Sequence, residues 1–117
     1  MKREYKVSKD CHNPESTLKE LKLGYINLSD GLFDLAQMNF DMVIHSDPYC
    51  ADAFWGLILC KYQIRNEDVL LTNATAYKDL VYLKEYENAM LYADENQKAN
   101  FESLLTEIKK INTGNDY

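Results

Sequence analysis

Two apolar helical stripes joined by one tight turn constrain the fold of this chain more than any other feature. The first stripe repeats at the spacing of one helical face: Leu18, Leu21, Tyr25 and Leu28. The second stripe is wider and consists of Phe33, Ala36, Phe40, Val43 and Ile44. Asp30-Gly31 between them is a turn signal, and Asp47-Pro48 ends the second stripe because proline cannot continue a helix. Residues 17–50 therefore predict a helical hairpin.

The rest of the chain predicts three further helices. Asn13-Pro14 begins the first helix of the hairpin, since Asn is a good cap and Pro suits the first helical position. Asp94 is placed to cap the last helix, and Gly114 to end it. The expected fold is all-α, with about five helices near residues 14–29, 31–46, 49–64, 83–94 and 95–111.

The order of small and large residues in the hairpin resembles the tetratricopeptide repeat. That family carries a spaced Leu-Gly, then Ala-x3-Phe, then Pro, and the corresponding residues here are Leu23, Gly24, Ala36, Phe40 and Pro48. The resemblance implies a right-handed stack of helical hairpins that binds a protein or peptide. Gly24 and Ala36 are small where two helices would approach closely, and Phe33 and Phe40 would fill the gap between helices.

A second repeat begins in register at Ala51 and is then interrupted. Phe54 and Leu57 lie 34 residues after Glu20 and Leu23. Polar and turn-forming residues follow near 65–79, so the partner helix is delayed to residues 83–94. The fold expected from the resemblance is thus one full repeat plus one interrupted repeat. The interrupted half also resembles helical segments of multidomain bacterial proteins in which a Toll/interleukin-receptor-type domain follows.

Two positions depart from the family pattern. Its aromatic near the start of the first helix is Glu20 here, and its later Tyr is Asn27. Both substitutions indicate an end helix that faces solvent.

Composition limits the class of protein. The chain has 117 residues and a formal net charge of −6, which disfavours binding to nucleic acid. No apolar signal core and no 18-residue apolar window occur, so neither secretion nor membrane insertion is expected. The three cysteines lack disulfide or metal spacing and fit a reducing cytoplasm. The expected organisation is a flexible tail over 1–12, one helical domain over 13–112 and a tail over 113–117.

The resemblance places a partner-binding groove on the first helix of each pair. Its predicted residues are Tyr25, Leu28, Asp52, Trp55, Leu59, Tyr62 and Gln63. Trp55 is the anchor under this interpretation, because aromatic residues dominate binding hot spots. Under the alternative interpretation the C-terminal helix folds back over the groove, and Trp55 belongs to the core.

Enzymatic chemistry is not expected. Neither His12 nor His45 suggests a base for a cysteine nucleophile, and no metal spacing or phosphate-binding loop occurs. No cofactor and no metal are predicted. The main prediction is a cytoplasmic, non-enzymatic binding module with a protein or peptide partner. The alternatives are a structural homodimer that seals the unpaired ends of the repeat stack, and an accessory subunit of a bacterial signalling or defence system.

Overall fold

The regular structure of this chain is helical wherever the structure describes it. The computed structural model describes residues 5–67 and 79–114. In these ranges five α-helices and one 3₁₀ helix occur, and no strand: α1 (Pro14–Ser29), α2 (Phe33–Ser46), α3 (Ala51–Lys61), the 3₁₀ helix (Leu80–Tyr82), α4 (Lys84–Tyr92) and α5 (Glu95–Gly114). The prediction of an all-α chain with about five helices is confirmed. The predicted interruption near 65–79 lies largely outside the described residues.

The helix boundaries follow local chemistry. Pro14 begins α1. The Asn13 side chain makes no capping hydrogen bond, but the main-chain carbonyl of Asn13 accepts from the N–H of Thr17 at 2.9 Å. At the start of α5 the predicted cap is present. The N–H of Gln97 donates to Asp94 Oδ1 at 2.7 Å, and the N–H of Asp94 donates to Gln97 Oε1 at 2.8 Å. This reciprocal pair satisfies two backbone donors at the helix start.

The first helices of the two pairs, α1 and α3, end in the same way. After α1, Gly31 has φ 78°, and the N–H of Leu32 bonds the carbonyl of Asn27 at 2.8 Å. After α3, Gln63 has φ 55°, and the N–H of Ile64 bonds the carbonyl of Leu59 at 2.8 Å. Both are left-handed helix stops of the Schellman type. The two stops lie 32 residues apart, so these helix ends do not follow the predicted 34-residue register.

Helices adjacent in the chain pack against each other. α1 packs on α2, α2 on α3 and α3 on α4, and α1 also contacts α3. The Phe40 ring lies at the centre and is fully buried. A Cβ atom added to Gly24 would meet this ring at 2.7 Å, and one added to Gly56 would meet it at 2.5 Å. Both helices can therefore approach Phe40 only because they carry glycine there.

The N-terminal segment, residues 5–10, packs on the helices at its start. Tyr5 stacks on Tyr25 with ring centroids 4.0 Å apart. Backbone groups of Lys6 and Ser8 are hydrogen-bonded to side chains of the helical domain. This differs from the flexible tail predicted over 1–12; residues 1–4 of that tail and 115–117 of the C-terminal one lie outside the described residues.

Candidate functional site

The seven predicted groove residues lie together on α1, on α3 and just after α3, but most are covered. Tyr25, Leu28, Asp52, Trp55 and Leu59 are at most 8% exposed. Tyr62 is half-buried, and Gln63 is exposed. The predicted cluster thus forms, while its accessible surface is small. Two other parts of the chain cover it.

Helix α5 covers the Trp55 side of the groove. Phe101 stacks on the Trp55 indole with centroids 4.4 Å apart, and both side chains are fully buried. The indole N–H donates to Glu67 Oε1 at 3.0 Å. Trp55 therefore belongs to the core in this structure, as the alternative interpretation expected.

The N-terminal segment covers the Tyr25 side. It runs in an extended conformation and is held largely through its backbone. The N–H of Lys6 donates to Asp52 Oδ2 at 2.9 Å, and the N–H of Ser8 donates to Asp47 Oδ2 at 2.7 Å. The Ser8 hydroxyl adds a 2.5 Å bond to Asp47 Oδ1. Alternate residues of an extended chain point the same way, which is why positions 6 and 8 both reach this wall.

The wall that receives this segment is built from buried polar groups. Asp47 and Asp52 are 1% and 0% exposed. The Tyr25 hydroxyl donates to the main-chain carbonyl of Asp52 at 2.6 Å and so fixes the ring on which Tyr5 stacks. Buried carboxylates are costly unless they accept hydrogen bonds, and here backbone N–H groups supply them.

Sequence reasoning included Asp52 and Tyr25 in the groove but missed Asp47 and Tyr5. Asp47 was assigned only as part of the stop of α2. Its contact with Ser8 spans 39 positions in the sequence, and no periodic pattern marks such a pair. The remaining signal was the alternation of polar and apolar residues in 6–8, which is typical of an extended segment but too short to decide.

An open cleft of about 740 Å³ adjoins the N-terminal segment. The segment forms one wall, and the junction of α4 and α5 forms the other, with Tyr92, Leu91 and Asp94. Lys6 Nζ and Asp94 Oδ2 approach to 3.0 Å across it. Tyr49 and Tyr92 meet edge to face within the lining, with centroids 5.2 Å apart. This volume lies within the range of small-ligand and side-chain pockets.

The thiols of Cys50, the N-cap of α3, and of Cys60, within α3, have a low tendency to ionise. Burial raises the pKa of Cys50 to about 12 and that of Cys60 to about 12. Cys50 Sγ lies 3.4 Å from the Lys6 carbonyl, a contact that a protonated thiol can make as a weak donor. Both residues behave as small core side chains rather than nucleophiles.

Among residues 5–67 and 79–114, no group of three or more His, Cys, Asp or Glu residues is arranged to hold a metal ion. Likewise, none of the described helices combines the length and the hydropathy that crossing a bilayer requires.

The hairpin of α1 and α2 carries an exposed apolar surface, which we call the outer face. It consists of Leu23, Ile26, Leu35, Met38 and Met42, each 45–61% exposed. A polar cluster joins the two helices in its middle. The Asn27 amide donates to Asn39 Oδ1 at 2.7 Å, and the Asn39 amide donates to the Glu20 carboxylate. The two residues that depart from the repeat signature therefore tie α1 to α2 on this surface.

No protein-family model, no curated protein and no solved structure matches the chain.

Proposed function

We propose that this chain is a non-enzymatic binding module of tetratricopeptide type that binds an extended peptide segment of a partner protein. One observation carries the proposal. An extended segment, residues 5–8, lies on the predicted groove and is bound through its backbone by two buried carboxylates. The groove is thus chemically suited to a peptide, and the chain's own N-terminal segment occupies the place that a partner's segment would take.

The contacts define the kind of peptide. The wall recognises two N–H groups two residues apart, with a flat aromatic side chain ahead of them to stack on Tyr25. Beside Asp47 a hydroxyl is favoured, because Ser8 donates to both of its oxygens. The expected ligand is an extended segment of the pattern aromatic, any residue except proline, any residue, Ser or Thr.

The tetratricopeptide assignment is supported by packing. Gly24 and Gly56 contact the same Phe40 ring from α1 and α3, and these helices end in the same backbone motif. Each helix pair buries its apolar side only by stacking on the next one, as a repeat array requires.

The test adds a separate peptide with the sequence of residues 5–10 to the full chain. In a Tyr5→Ala chain the internal segment has lost its stacked ring, which contributes about 1 kcal/mol or more, so the free peptide competes better. We expect binding about tenfold tighter to Tyr5→Ala than to the unaltered chain, measured by fluorescence anisotropy of a labelled peptide.

Two controls separate groove binding from adhesion. Asp47→Asn should weaken peptide binding by roughly tenfold, because a charged acceptor of the Ser8 N–H is lost. The matched control is Asp41→Asn, an exposed change on α2, the helix that ends just before Asp47; it should leave peptide binding unchanged. The proposal fails if the peptide shows no saturable binding to either chain, or if Asp47→Asn binds it as well as Asp41→Asn does.

A further inference from the structure

The outer face is an exposed apolar surface of the α1–α2 hairpin, and helix geometry places it on the side of the hairpin away from α3. Leu35, Met38 and Met42 recur at i, i+3 and i+7 of α2, while Leu23 and Ile26 are three residues apart on α1. Two helices of 14 and 16 residues side by side give a face of about 20 Å by 20 Å. The largest exposed apolar patch of a soluble monomer is commonly about this size and is often functional.

Opposite charges border this face on its two long edges. On α1, Lys22 lies one turn before Ile26, on the side away from α2. On α2, Asp34 and Asp41 lie one turn to either side of Met38, on the side away from α1. All three charged residues are exposed. The face is therefore basic along one edge and acidic along the other, with the apolar side chains between the edges on either side of the Asn27–Asn39–Glu20 polar cluster.

The heights of these residues along the hairpin also match. Gly24 of α1 lies directly against Phe40 of α2, so these two positions are level. Because the helices are antiparallel, Lys22 is then level with residues 41 and 42. A two-fold axis parallel to the helices would place α1 of one copy over α2 of another, and Lys22 of one copy beside Asp41 of the other.

We propose that the outer face binds a second copy of this chain in a two-fold symmetric dimer. The Leu and Met side chains of the two copies pack together, and two Lys22–Asp41 pairs close the edges, since every contact of an isologous interface occurs twice. The face is smaller than that of a typical permanent dimer, so reversible association in the micromolar range is expected. This inference uses a different surface from the peptide groove and is independent of the proposed function.

The first measurement is on the unaltered chain. Sedimentation velocity from about 1 μM to about 500 μM should show a monomer–dimer equilibrium. Backbone amide NMR signals of residues 35–42 should shift with concentration, while those of α4 should not. A chain that stays monomeric throughout, or a dimer whose shifts map to α4 or α5, overturns the proposal.

The decisive test is a charge exchange. Lys22→Glu alone and Asp41→Lys alone each place two like-charged pairs in the dimer, and each should dimerise about tenfold more weakly. Mixed in equal amounts, the two variants should associate as well as the unaltered chain, because both pairs are then opposite in charge. Weakening without recovery on mixing would show that these residues do not face each other.

Two controls complete the experiment. Met42→Gln should weaken the dimer without altering charge, whereas Lys98→Glu on α5, a charge change on an exposed residue away from the face, should leave it intact. Equal effects of the two changes would contradict this surface. Peptide binding of each variant, measured as above, reports on the groove separately, so the failure of one proposal leaves the other standing.

Discussion

At the scale of single residues, the core depends on the contacts of one phenyl ring. Phe40 lies between Gly24 of α1 and Gly56 of α3, and an added Cβ at either glycine would lie 2.5–3.0 Å from atoms of the ring. The sequence predicts that Gly24 lies at a close helix approach and that Phe40 fills a gap between helices, with which the first contact agrees. The second was not predicted, because the assumed 34-residue register puts Ile58 rather than Gly56 opposite Gly24.

Adding one methyl group at these glycines should destabilise the fold. Alanine favours a helix by about 1 kcal/mol over glycine, but overpacking a rigid buried ring costs about 1–3 kcal/mol. We expect Gly56→Ala to lower the free energy of unfolding by about 1–2 kcal/mol, and Gly24→Ala by a little less, measured by urea denaturation.

An exposed alanine substitution provides the control for this prediction. Ser29→Ala at the solvent-facing end of α1 should change the free energy of unfolding by less than about 0.5 kcal/mol. A Gly56→Ala chain as stable as the unaltered one would show that the ring moves aside freely.

The cysteines give a second test at this scale. With a pKa of about 12, only on the order of one Cys50 or Cys60 thiol in 10⁵ is ionised at neutral pH, and ionisation remains rare at pH 9. We expect a thiol reagent to label Cys11, which is half-buried, well before the other two in the native chain. Full labelling in urea is the control, and rapid native labelling of Cys50 or Cys60 would contradict their burial.

At the scale of elements, α5 is attached mainly by its side chains. Its backbone makes few close approaches to the other described helices, yet Phe101 is fully buried and Leu104 and Leu105 pack against the core. The sequence predicts this face from its spacing as Phe101, Leu104, Leu105, Ile108 and Ile111; the side chains of the last two lie outside the described residues.

Removing the anchor should release α5 and expose the single tryptophan. Phe101→Ala removes the ring that covers Trp55. It should lower the free energy of unfolding by about 3–5 kcal/mol if the whole fold is affected, and by less if only α5 detaches. We expect a red-shifted tryptophan emission in the folded chain, with most of the far-UV helical signal retained. Ser103→Ala, an exposed change on α5, should leave the emission unchanged.

The N-terminal segment shows where sequence reasoning fails at this scale. Helices can be predicted from the periodic spacing of their apolar residues. The predicted bounds of all five helices agree with the observed ones to within a few residues. The segment is held instead by hydrogen bonds between its backbone and carboxylates 39 and 46 residues away. Every residue except proline has a backbone N–H and can make such a contact. The sequence of this polar stretch therefore does not differ from that of a loose tail.

At the scale of the whole molecule, Lys6 links the start of the chain to the corner between α4 and α5. Hydrogen bonds from the Gln97 backbone and from Lys6 lower the pKa of Asp94 below its ordinary value. The stabilisation is therefore present above the ordinary Asp pKa and is lost as the pH falls through the lowered one.

We expect this link to weaken only in acid. Between pH 8 and about pH 5, the environment of the Tyr5 ring, followed by NMR, should stay constant, and it should change as the pH falls below about 4. In an Asp94→Asn chain, the change in the Tyr5 environment that comes from loss of the Lys6–Asp94 contact should disappear. A transition near pH 6 would point to a histidine instead.

The predicted groove shows how residues can cluster as predicted and still be covered by other parts of the chain. The resemblance selected side chains that do cluster, because their positions follow from helix geometry. Whether they are accessible depends on Phe101 and Tyr5, which lie 46 and 20 positions from the side chains they cover. Periodicity within a helix carries no information on contacts of that range.

The backbone contacts of Lys6 and Ser8 also set a negative rule for any occupant of the groove. Proline has no N–H to donate, so it is excluded at both of these positions, while many other residues are compatible with them. A chain carrying Lys6→Pro or Ser8→Pro would remove one backbone donor from a buried carboxylate. The groove would thus also reject peptides with proline at either position, a filter that acts on the main chain.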